Sequence, residues 1–69
     1  MEVFPGISMD PAVRFGKPCL AGTRIDVATI LGALASGASA PDLEAEYRIS
    51  REQITAALRY AALPRETLA

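Results

Sequence analysis

The sequence has no histidine and no tryptophan, and only one cysteine, two phenylalanines and two tyrosines in 69 residues. Each shortage closes a route. A lone thiol cannot form an intrachain disulfide, and without imidazole it cannot complete a zinc cage of the usual Cys/His kind. A nucleophile normally needs a base beside it, and Cys19, set between Pro18 and Leu20, has no histidine to deprotonate it, so a small buried thiol is expected. No apolar run approaches the roughly 20 residues of a membrane span. The start Met1-Glu2-Val3-Phe4-Pro5 lacks the basic and apolar regions of a secretory signal, so a reducing cytoplasm is the expected location. Chemistry and membranes recede together; the chain reads as no enzyme.

What is present is small and apolar. Hydrophobic residues make up 51% of the chain, which argues against disorder, although thirteen are alanines and add little bulk. A chain of this length buries only about 60% of its unfolded surface, so association with another chain, such as a second copy, is the expected supplement. The net charge of −1 gives no global attraction to nucleic acid. The charge is uneven, however: +1 over residues 1–25, −4 over 26–47 and +2 over 48–69.

Residues 1–25 hold Pro5, Gly6, Pro11, Gly16, Pro18 and Gly22, breakers that leave room only for short extended pieces. Two such pieces, around Ile7–Met9 and Thr23–Ile25, suit a small β-ribbon. From Asp26 the period becomes helical. Asp26 caps a helix whose apolar stripe is Val27, Ile30, Leu31 and Leu34, and which Gly37 ends. Ser39 opens a second helix, with Pro41 in its first turn, Asp42 at the capping-box position and Leu43 and Tyr47 inward. Ser50 and Gln53 open a third, stopped before Pro64, with Ile54, Ala57, Leu58 and Ala61 inward. The expected fold is mainly α: one domain over 1–69, with a turn-rich arm over 1–25, a three-helix core over 26–63 and a tail over 64–69.

Helix, the short turn Arg48-Ile49-Ser50, and helix again is the layout of a helix-turn-helix, whose second helix can enter a major groove. Arg48, Arg51 and Arg59 are the phosphate-contacting candidates, and Gln53 or Thr55 the candidates for a base edge. Glu52 in the same exposed stretch opposes phosphate, and the same layout also serves as plain scaffolding. Three arginines per subunit is thin footing that a homodimer would double. In the first helix, Ala28, Gly32 and Ala35 form a side of small residues, readable as tight internal packing or as a subunit contact. The Gly16-Lys17 pair is no phosphate loop: position 11 is proline where glycine is required, and position 18 is proline where Ser or Thr would bind magnesium. Neither a metal nor a cofactor is expected. Arg24 is a candidate to bind a carboxylate, Asp10 or Asp26.

The stretch Asp10-Pro11-Ala12-Val13-Arg14-Phe15-Gly16-Lys17-Pro18-Cys19-Leu20-Ala21-Gly22-Thr23-Arg24-Ile25-Asp26-Val27 resembles the opening of the bacterial domain-of-unknown-function family 433. Its Gly-Lys-Pro and Gly-Thr-Arg triplets carry the likeness. Ala-Ser-Gly at 35–37, Ala40-Pro41-Asp42-Leu43 and Ile54 to Ala62 extend it, over about residues 7–63. The resemblance implies a winged-helix-like helix-turn-helix domain. It also implies a VapB-type antitoxin that neutralises a neighbouring PIN-like ribonuclease and represses its own promoter. Such proteins commonly wrap the toxin with a separate tail, and here only Pro64 to Ala69 follow the third helix. Arg65 in that tail is the residue expected to reach the nuclease's acidic centre. The rival expectations are a stand-alone dimeric DNA-binding regulator and an interaction module with neither partner.

Overall fold

Each helix starts where a side chain can satisfy free first-turn amides, and the computed structural model, which describes residues 1–64, places all three caps as the sequence predicts. Helix α1 spans Val27–Ala35, and the Asp26 carboxylate accepts from the Thr29 amide at 2.9 Å. Helix α2, Ala40–Tyr47, and helix α3, Arg51–Ala61, each begin with a reciprocal capping box, Ser39 with Asp42 and Ser50 with Gln53. The hydrogen bond that the Ser39 amide donates to the exposed Asp42 carboxylate at 3.0 Å, with the Ser39 hydroxyl close by, holds that carboxyl below its ordinary pKa. Gly37, at φ +106°, lets the chain leave α1 in a left-handed turn.

The arm holds a three-stranded antiparallel sheet in the order β1 (Glu2–Phe4), β2 (Ile7–Ser8), β3 (Cys19–Leu20). Ile7 pairs with Leu20 and Ser8 with Cys19. The ribbon expected from Thr23–Ile25 therefore forms one segment earlier in the chain. The reason is local: the Thr23 hydroxyl donates to the Leu20 carbonyl and accepts from the Ile25 amide, which curls 23–25 into a turn. Strand β1 was not foreseen from the sequence. It is held from above, where the Phe4 ring meets Tyr60 of α3 edge to face at 5.7 Å.

One core joins the sheet to the helices. Ile7 and Leu20 from the sheet, Val27 and Ile30 from α1, Leu43 from α2, Ile49 from the turn, and Ile54 and Ala57 from α3 are all buried together. Leu31, Leu34 and Tyr47 pack against this cluster, as the helical spacing predicts. Leu58 and Ala61 do not: Leu58 is 46% exposed and Ala61 is exposed, so the inward face of α3 is narrower than the wheel suggests. Half-buried Ala56 and Tyr60 take their place because the hairpin β1–β2 covers that side of the helix.

The segment from Asp10 to Asp26 is a clasp. The Val27 amide donates to the Pro18 carbonyl at 2.9 Å, and the Leu20 amide donates to the Ile25 carbonyl at 2.9 Å. The carboxylate partner expected for Arg24 belongs instead to Arg14, whose guanidinium donates to Asp26 at 3.2 Å while Arg24 stays exposed. Chain reversal at 14–16 carries Arg14 back over the start of α1.

Candidate nucleic-acid interface

The turn between α2 and α3 is made by a residue in an unusual conformation. Arg48 lies at φ +57°, in the left-handed region where side chains other than glycine are crowded. That reversal brings α3 back within three residues, and Ile49 drops into the core behind it, 7% exposed. The result presents the first turn of α3 to solvent with Arg48 beside it.

Arg51, Thr55 and Arg59 recur every four residues and so share one side of α3. With Glu52 and Ala56 they line an open groove of about 460 Å³, whose opposite wall is Phe4, Pro5 and Gly6 at the tip of the hairpin β1–β2. Both arginines are exposed, and Thr55 is half-buried between them. The hairpin sits close: Gly6 is at φ +83°, and a Cβ there would lie 2.9 Å from the Ala56 methyl. Only glycine lets that wall approach the helix.

The remaining candidates are not in the groove. Arg48 lies at the helix junction, away from its lining. The Gln53 side chain is spent on structure, its Oε1 accepting from the Ser50 amide at 2.7 Å, which removes the acceptor that base recognition would use. Arg65 lies outside the described residues. The groove walls were the part that sequence reasoning missed. The Pro5-Gly6 pair is a turn signal that could have indicated a hairpin, but not which surface the hairpin meets.

Two buried titratable groups elsewhere, Asp26 and Cys19, are structural. Asp26 is buried, and its carboxyl sits below its ordinary pKa, chiefly through hydrogen bonds from the Thr29 hydroxyl and amide, with Arg14 adding to them against a desolvation penalty. Cys19 is 2% exposed, and its thiol is pushed up by burial and then by Asp26, with Arg14 opposing. It is a poor thiolate. Among the described residues no group of three or more Cys, Asp or Glu side chains is placed to hold a metal ion, and no helix is long and apolar enough to cross a membrane.

Fold and groove together define a three-helix domain clasped by a short antiparallel sheet, with a basic-rimmed groove on its last helix. Its family is shown by comparison: the family model described as Protein of unknown function (DUF433) matches residues 7–61, and the chain belongs to that family. No curated protein and no solved structure matches the chain.

Proposed function

We propose that this chain is an antitoxin-like regulator of a type II toxin–antitoxin system: it neutralises a PIN-like ribonuclease and, as a homodimer, represses its own promoter. The observation that carries the DNA half is the groove on α3, where Arg51, Thr55 and Arg59 face solvent on one side of the helix. The backbone positions of Arg51 and Arg59, eight residues apart, lie about 12 Å apart along the helix axis, so the two exposed side chains offer separate cationic points to phosphates that are not adjacent on a strand. The toxin half is supported by the likeness of residues 10–27 to the family's opening segment. In a dimer the arginine rims are doubled, which addresses the thin electrostatic footing of one subunit. Arg65 remains the tail residue proposed to approach the nuclease.

The experiment has two readouts. In gel-shift titrations with the upstream promoter fragment, affinity should fall steeply with salt. An Arg51→Ala/Arg59→Ala double variant should bind more weakly, with a salt slope shallower by about 0.9 for each phosphate that is no longer neutralised. Glu52→Gln should bind more tightly, because it removes the carboxylate that lines the same groove. Unchanged binding in the double variant would remove the groove from the interface. Co-expression with the adjacent nuclease gene tests the other half: relief of toxicity and co-purification are expected. Promoter binding without either would leave a stand-alone regulator.

A further inference from the structure

Phe15 is the most exposed large apolar side chain in the described structure, at 94%. Phe4, by contrast, is packed on Tyr60. Phe15 also sits on strained backbone: Arg14, Phe15 and Gly16 have φ values of +51°, +59° and +83°, three left-handed residues in succession. Glycine or asparagine would adopt that conformation at lower cost. A phenylalanine that makes no buried contact gains nothing from it in folding. Strain of this kind is retained where the surroundings enforce it and something else uses it.

The surroundings do enforce it. The Asp10 carbonyl accepts from the Val13 amide at 2.8 Å, and its side chain from the Ala12 amide at 2.9 Å. The Gly16 amide donates to Val13 and the Lys17 amide to Arg14, both at 3.1 Å. Arg14 is tied to buried Asp26 at 3.2 Å, and Pro18 fixes the exit. The backbone that carries the ring is therefore held by a fixed turn, so binding has to order the ring's own rotamers and not the loop. Its neighbours set the charge of what it meets. Residues 10–25 hold Arg14, Lys17 and Arg24 against one acid, Asp10, whose carboxylate is engaged by the Ala12 amide. Lys17 is exposed, and the Arg14 side chain remains 48% exposed beside its ion pair.

We propose that the left-handed turn Arg14–Gly16 is a docking knob for a protein partner: Phe15 enters an apolar pocket whose rim carries carboxylates that meet Lys17 and the open side of Arg14. A single projecting ring fits a pocket better than a nucleic-acid strand, which uses several stacking rings along a basic track. The knob shares no residue with the lining of the α3 groove, so both can be occupied at once.

The test rests on the proposed function only for the partner, the adjacent PIN-like nuclease. The full chain and its variants are titrated against the purified nuclease by calorimetry, with thermal unfolding as the control. Wild type, Phe15→Tyr and the Arg51→Ala/Arg59→Ala variant should bind alike, while Phe15→Ala should bind at least about 30-fold more weakly. Its unfolding temperature should not fall, since the ring is exposed. Equal binding by Phe15→Ala and wild type would overturn the knob and leave the proposed function standing. Absence of binding by every form, wild type included, would overturn both. A single-stranded oligonucleotide bound by wild type and released by Phe15→Ala, with nuclease binding unaffected, would overturn the protein pocket and reassign the knob to nucleic acid.

Discussion

Removing the Asp26 carboxylate tests how the arm and the helices are joined. Asp26 is 4% exposed and caps α1 through the Thr29 amide; it also accepts from the Thr29 hydroxyl and from Arg14. Loss of an N-cap costs about 1 kcal/mol. Hydrogen bonds to a charged group are worth about 1.5–3 kcal/mol, but these overlap with the cap, and the half-exposed Arg14 contributes at the low end. Asp26→Ala should therefore lose about 2–3 kcal/mol, against a total of about 3–10 kcal/mol for a chain of this length. In thermal unfolding followed by circular dichroism that is a drop of roughly 10–20 °C. Asp26→Asn keeps a capping oxygen and loses only the charge, so its cost should be about 1 kcal/mol. The pH dependence follows from the lowered pKa. The carboxylate's contribution is complete above the ordinary carboxyl value and is lost as pH falls through the folded-state value. Wild type should lose stability on the acid side of about pH 4 more steeply than Asp26→Ala. A loss under about 0.5 kcal/mol in Asp26→Ala, or parallel acid profiles, would refute the reasoning.

Gly6→Ala combines positive φ with a Cβ 2.9 Å from Ala56, so it should destabilise the hairpin by more than about 1 kcal/mol and weaken promoter binding by displacing the groove wall; urea titration and gel shift read the two effects. Gly32→Ala should act in the opposite sense. A Cβ there meets nothing within 4 Å and Ala28, Gly32 and Ala35 are all exposed, so internal packing does not account for the glycine and alanine should add up to about 1 kcal/mol of helix stability. If Gly32→Ala instead lowers the unfolding temperature only at high protein concentration, while light scattering shows dimer turning to monomer, the second copy of the proposed homodimer sits on that face.

The three helix starts were legible because their information is local. A cap, its partner three residues on and the apolar spacing all lie within one or two turns, so Asp26, Ser39 and Ser50 could be read directly. The helical period also puts Arg51, Thr55 and Arg59 four residues apart along α3, although the outward face read from the sequence had Arg51 at its flank. Contacts that span a loop were not legible. Whether Asp26 meets Arg14 or Arg24 depends on how the chain reverses at Arg14–Gly16, and two of those three residues adopt a conformation that their side chains disfavour. The same holds for the hairpin wall, which packs on α3 across some fifty residues of chain. Local sequence thus dictates the helices, their caps and the shortage of reactive groups. Packing in three dimensions settles that Phe15 stands in solvent, that Leu58 is half-exposed and that a groove lies beside Arg51, because burial depends on which distant segments the chain brings back.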